Sequence, residues 1–189
     1  MKKFLVVLLS SVLLLSACAK NTEADVSTDA GISRYSETPN ESEDLIFPTL
    51  YVRTDNHDGN ASGDYPIITI IKTRAELEKY TSDNEKTYDF ATTTHSICFY
   101  DAATKYDENY FKDNALVMLV LREDSSSYTH SNQGFSKTDN GYNINMIRFT
   151  REQEEKSTAY WHIIFEVPQI SPVLESELTV SFTDQSVNN

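Results

Sequence analysis

Cysteine, glycine and positive charge are scarce in this chain of 189 residues. Two cysteines, Cys18 and Cys98, exclude a disulfide-stapled scaffold, so stability has to come from a packed core. Five glycines leave no glycine-rich loop to cradle a phosphate, and none frames Ser125-Ser126-Ser127 as a nucleophile elbow requires. Lysine and arginine number 16 against 29 aspartates and glutamates, a formal charge of −13 that repels phosphate backbones and argues against nucleic acid as a partner. No apolar run reaches the roughly 20 residues a helix needs to cross a bilayer.

What is present starts at the first residues. Lys2 and Lys3 precede an apolar run of 12 residues, Phe4 to Leu15, and the small residues Ser16 and Ala17 follow it. That order is the layout of a secretory signal, expected over 1–17. Leu15-Ser16-Ala17-Cys18 resembles the lipobox of bacterial lipoproteins. The resemblance implies a diacylglyceryl group on the Cys18 sulfur and cleavage just before it. Each buried methylene contributes about 0.8 kcal/mol, and two acyl chains hold where one holds only marginally. The expectation is a lipid-anchored protein on the extracytoplasmic face of the cell membrane. Loss of 1–17 removes two lysines and no acid, leaving 14 bases against 29 acids, a charge of −15.

Residues 19–45 carry seven acids, two bases and one aromatic. So little apolar surface cannot offset the entropy of ordering, so 18–45 reads as a lipidated cysteine followed by a disordered acidic tether. Its typical reach is roughly 30 Å. The remaining residues, 46–189, suit one globular domain.

Within that domain, Ile46 to Arg53 and Pro66 to Lys72 read as strands joined by a long loop rich in turn formers. Thr73-Arg74-Ala75-Glu76 fits a capping box opening a helix over 74–82. The segment from Tyr88 to Ala103 reads equally as helix or loop. Asp107 is a helix cap for a turn carrying Tyr110 and Phe111, and Ala115 to Leu121 is a continuous apolar run that suits a strand covered on both faces. Asp139-Asn140-Gly141 signals a hairpin, followed by clean alternation from Tyr142 to Met146. Ala159 to Val167 sets Trp161, Ile163, Phe165 and Val167 on one side and His162, Ile164 and Glu166 on the other. A last strand is expected over 177–182. The fold class is α+β, a mainly antiparallel sheet with one or two short helices.

Tyr106-Asp107-Glu108-Asn109-Tyr110-Phe111, the strand Leu116 to Leu121, the serine turn and Trp161 to Val167 together resemble the C-terminal domain of PrcB-type subunits of bacterial surface protease complexes, and similar lipoproteins of the Firmicutes. The likeness spans roughly 67–168, with Ser126 where that pattern has a glycine. It implies a noncatalytic partner of an exported protein and supplies no active-site residues.

Candidate chemistry is sparse. His57, His95, His130 and His162 stand at least 32 residues apart, without the local spacing of a zinc pair, and are expected to be solvated. The loop from Thr54 to Asp64 fails as an EF-hand because Thr54 and Tyr65 occupy the positions that need carboxylates. Asp55, Asp58 and Asp64 could still converge on a weakly held calcium ion. Glu154-Glu155 lies in a charge run that reads as solvated loop. Cys98, in Ile97-Cys98-Phe99-Tyr100, reads as a buried inert thiol. Two functions are consistent with this inventory: a protein-interaction module, not an enzyme, that assists or restrains an exported partner such as a protease, or a lipoprotein that binds calcium or a small molecule. The 11 tyrosines would suit either if they cluster at the surface. Cells fed radiolabelled fatty acid should label the wild-type protein, whereas Cys18→Ala should accumulate as unlabelled precursor; label in the variant would overturn the lipobox reading.

Overall fold

The structure, a computed structural model, describes residues 44–57, 61, 63–92, 97–151 and 157–187. The expected signal, Cys18 and nearly all of the tether lie outside the described residues, as do Asp58, His95, Glu154 and Glu155. The described residues belong to one compact unit, Pro39–Asn189.

In chain order the elements are β1 (Thr49–Asn56), β2 (Ile67–Ile71), α1 (Arg74–Asn84), β3 (Tyr88–Asp89), α2 (Phe99–Ala103), α3 (Tyr110–Asp113), β4 (Asn114–Glu123), β5 (Thr129–Lys137), β6 (Gly141–Arg151), β7 (Ala159–Pro168), a 3-10 turn (Pro172–Glu175) and β8 (Glu177–Val187). They form a five-stranded sheet ordered β2-β4-β7-β1-β3 and a three-stranded sheet ordered β5-β6-β8. Every pairing is antiparallel except β6 with β8. The fold is therefore α+β with mainly antiparallel strands.

The apolar run from Ala115 to Leu121 occupies a central strand, each residue at most 3% exposed. Because strand side chains alternate, β4 feeds two cores at once. Leu116, Met118 and Val120 meet Leu77 of α1, Phe99 and Ala102 of α2 and Phe111 of α3. Ala115, Val117, Leu119 and Leu121 face Phe135, Ile144 and Met146 of the three-stranded sheet. The neighbouring strand β7 divides the same way, with Ile164 on the helix side and Ile163, Phe165 and Val167 between the sheets. The molecule is thus three layers: helices, five strands, three strands.

Local chemistry explains the ends of the elements. Thr73 Oγ1 accepts from Glu76 N at 3.1 Å and Glu76 Oε2 accepts from Thr73 N at 3.1 Å, closing the capping box that starts α1. Asp107 Oδ1 accepts from Tyr110 N at 2.8 Å, but the cap residue of α3 is Asn109 rather than the expected Asp107, which stands two residues ahead of it. At the β5–β6 turn, Gly141 is required because a Cβ there would sit 2.0 Å from the Glu177 carbonyl oxygen. Gly134, at φ +111°, sits in the β5 bulge, where Asn132 Oδ1 accepts its N–H at 2.9 Å.

The long loop after β1 leads to a strand that is not its neighbour: β4 and β7 lie between β1 and β2. Leu45, the last residue of the expected tether, exchanges backbone hydrogen bonds with Phe135 at 3.0 and 2.8 Å. The segment from Tyr88 to Ala103 contains both the short strand β3 and the short helix α2, joined at the core by Phe90 stacked on Phe99 at 4.2 Å.

His162 is not solvated either. It is fully buried on the helix-facing side of β7, with Nδ1 3.2 Å from Thr54 Oγ1 and its ring edge-on to Tyr80, Tyr88, Phe90 and Phe99. Among the described residues, Nε2 has no hydrogen-bond partner. Burial without a counter-charge disfavours the imidazolium and lowers the pKa from 6.5 to about 3. The unfolded state therefore binds the extra proton first, so stability is full above about pH 6.5 and drains away as pH falls toward 3, by about 1.4 kcal/mol per unit. Between pH 6.5 and 4.5 the wild type should lose about 2 to 3 kcal/mol more than His162→Gln, which cannot titrate, in urea unfolding at the two pH values. Equal losses would contradict the assignment.

Candidate functional site

Polar side chains gather in two places at one end of the five-stranded sheet. The first is the expected aspartate loop. Asp55 lies near the end of β1, directly opposite Asp89 of β3, and accepts from Thr92 Oγ1 at 3.3 Å. Like charges on facing strand positions repel. Asp89 Oδ1 turns instead to the backbone N–H of Ala91 at 3.0 Å. Asn56 holds the loop beyond, accepting from Ala61 N at 3.3 Å. Asp64 is exposed, and Asp58 lies outside the described residues. Among the described residues, no group of three or more His, Cys, Asp or Glu side chains is arranged to hold a metal. Asp55 and Arg122 instead line a polar cleft of about 440 Å³ together with Asn56, Ala61, Thr158 and Tyr160. Such a cleft offers one carboxylate and one guanidinium to a small polar ligand.

The second cluster is the one that sequence reasoning missed. Glu123, the last residue of β4, is 4% exposed. Its Oε1 lies 2.8 Å from His130 Nε2 on β5, and its Oε2 accepts from Arg148 Nη1 on β6 at 3.2 Å. Arg148 then donates from Nε and Nη2 to the two oxygens of Asp184 on β8, at 2.8 and 3.0 Å. Those paired hydrogen bonds hold the guanidinium above its ordinary range and the Asp184 carboxyl below the usual carboxylate range. The rings of Tyr128 and Phe182 lie 5.7 and 5.6 Å from the guanidinium carbon. One buried carboxylate thus ties β4 to β5 and β6, and Arg148 carries the network on to Asp184 of β8. The cue in the sequence was slight: an acid closing an otherwise apolar strand.

The serine turn packs beside it. Ser125 is buried, and its Oγ lies 2.7 Å from Ser127 Oγ. His130, side chain fully buried, commits Nε2 to Glu123, while its Nδ1 and the Nε1 of Trp161, whose rings are 5.4 Å apart, have no hydrogen-bond partner among the described residues. Serine and histidine here bond to other groups. Cys98 is buried as expected, its Sγ accepting from Asp101 N at 3.4 Å at the start of α2. The tyrosines do not cluster outside: among the described residues Tyr88, Tyr106 and Tyr160 are buried and only Tyr100 is largely exposed.

Removing one partner of a buried charge pair strands the other, whereas an exposed pair is screened by water. Glu123→Ala should therefore cost about 3 kcal/mol in urea unfolding. Asp184→Ala, at the exposed end of the same network, should cost under about 1 kcal/mol. Comparable losses would show that the network does not hinge on the buried carboxylate.

Among the described residues, no helix is long and apolar enough to cross a membrane. In comparisons with known proteins, no family model, no curated protein and no solved structure matches this chain.

Proposed function

We propose that this chain is a lipid-anchored extracytoplasmic protein whose globular domain is a noncatalytic interaction module, assisting or restraining an exported partner such as a protease. One observation carries the reading: a charged pair, a 12-residue apolar run and small residues lead directly to Cys18 in Leu15-Ser16-Ala17-Cys18. The resemblance of residues 67–168 to PrcB-type subunits points the same way. The engagement of Glu123, His130 and Ser125 with neighbouring groups is the arrangement of a structural tie rather than of a placed nucleophile and base.

A second reading is a lipoprotein that binds calcium or a small molecule, and of these two ligands the cleft beside Asp55, with its facing carboxylate and guanidinium, favours the small molecule. The two readings part in one pair of measurements. Under the interaction reading, crosslinking on intact cells yields a single stoichiometric adduct with an exported protein, and millimolar calcium leaves the melting temperature unchanged. Under the ligand reading, calcium or a small polar metabolite raises the melting temperature, because whatever binds only the native state stabilises it. A calcium-dependent rise with no adduct would overturn the first reading.

A further inference from the structure

Among the described residues the two sheets end in four edge strands, and three of these edges are guarded. Bare N–H and C=O groups on an edge are a template for another chain, and folded proteins blunt them by shortness, proline, charge, a bulge or a cover. β2 is five residues long and follows Pro66, and β3 is two residues long. β5 is bulged between Asn132 and Gly134, ends in Lys137 and is bridged at Phe135 by Leu45. β8 has none of these devices. It runs for 11 residues without proline or lysine and keeps unbroken register with β6 from Glu177 to Val187. Of its two charges, Glu177 stands at the start and Asp184 is already paired with Arg148.

The hairpin before it fixes which backbone groups are bare. The β5–β6 turn closes with Thr138 N donating to Gly141 O at 2.9 Å, so Gly141 aims its backbone groups at β5. Successive strand residues aim theirs to opposite sides, so Tyr142, Ile144, Met146 and Arg148 aim at β8. In a parallel pair such groups bond to the residues flanking the one opposite, here Glu177, Thr179, Ser181, Thr183 and Gln185. Leu178, Val180, Phe182 and Asp184 are left with N–H and C=O directed away from β6. Among the described residues no backbone group bonds to them on that side.

We propose that a second copy of this chain covers this edge, the two β8 strands pairing antiparallel about a two-fold axis at Ser181. The bare groups from Leu178 to Asp184 then bond to those of the partner, and the small sheet continues from one copy into the other. The side chains are self-complementary in this register. Val180 faces the partner's Phe182 on the core side, Thr179 faces the partner's Thr183 on the outer side, and both contacts occur twice by symmetry. Aromatic with β-branched and threonine with threonine are among the cross-strand pairs that stabilise antiparallel strands. Glu177 faces the partner's Gln185 and Asp184 faces the partner's Leu178, so no like charges meet directly in a chain of net charge −13. An unrelated strand would have the backbone bonds alone, whereas a second copy brings matching side chains on both faces. The pairing uses neither the cleft beside Asp55 nor Cys18 and goes beyond the proposed function.

The test is cysteine substitution in the full-length chain, in cells treated with a membrane-permeant thiol oxidant and read on non-reducing gels. Across the axis, Ser181 and the partner's Ser181 form a non-hydrogen-bonded pair with Cα atoms about 4.5 Å apart, within disulfide reach. Ser181→Cys should therefore yield a covalent homodimer, at least about tenfold above wild type, whose Cys98 is buried. Thr179→Cys and Thr183→Cys each stand roughly 13 Å from the same residue of the partner and should not crosslink. The variant carrying both should crosslink, because Thr179 meets the partner's Thr183, and it reports the same axis without touching Ser181. The proposal is overturned if neither Ser181→Cys nor the double variant gives more homodimer than the Thr179→Cys and Thr183→Cys singles, or if Ser181→Cys is captured by a different protein.

Discussion

The pairing of β4 with β7 is the constraint from which the rest of the fold follows. Ten consecutive residue pairs run from Asn114 opposite Pro168 to Glu123 opposite Ala159. Both strands are apolar on both faces over most of that length, so neither can meet water on either side. A cover is needed on each face, and the chain provides two of different kinds. Short helices carrying Leu77, Phe99 and Phe111 close one side, and a second sheet closes the other. Because the same two strands contribute to both cores, the layers are coupled: loosening one exposes the strands that anchor the other.

Two polar groups enter the interior from this strand pair. His162 sits on β7 within the shared register, opposite Val120, caught among four aromatic rings and one threonine hydroxyl. Glu123 terminates β4 and is met by a histidine and an arginine from the second sheet. The two solutions differ physically. The histidine stays neutral because no charged group among the described residues faces it, whereas the carboxylate is matched by donors on both oxygens.

Much of this was readable in the sequence wherever a local rule operates within a few residues. The capping box at Thr73, the turn before Gly141, the two-faced strand from Ala115 and the sidedness of Trp161 to Val167 all rest on spacing that the backbone itself imposes. What eluded the sequence depends on distant partners. Alternation in β8 is the same whether its neighbour runs parallel or antiparallel, so its place beside β6 left no trace. The segment around Phe90 and Phe99 is shaped by rings that meet only after folding. The histidines illustrate the same limit: two of them are buried because strands from elsewhere in the chain close over them, which composition cannot foretell. Of the candidate site, the sequence pointed to Asp55 but not to Arg122 across the cleft, 67 positions away along the chain.

The parallel placement of β8 has a consequence for how the domain can be used. From β6 the polypeptide crosses to the other sheet, runs the length of β7, and only then returns to lie alongside β6. A cut between β6 and β7 would leave the leading fragment without the middle strand of one sheet and without the flank of the other. The architecture is interlaced rather than modular, so evolution or engineering can decorate its loops and faces but cannot borrow half of it as a free-standing cassette.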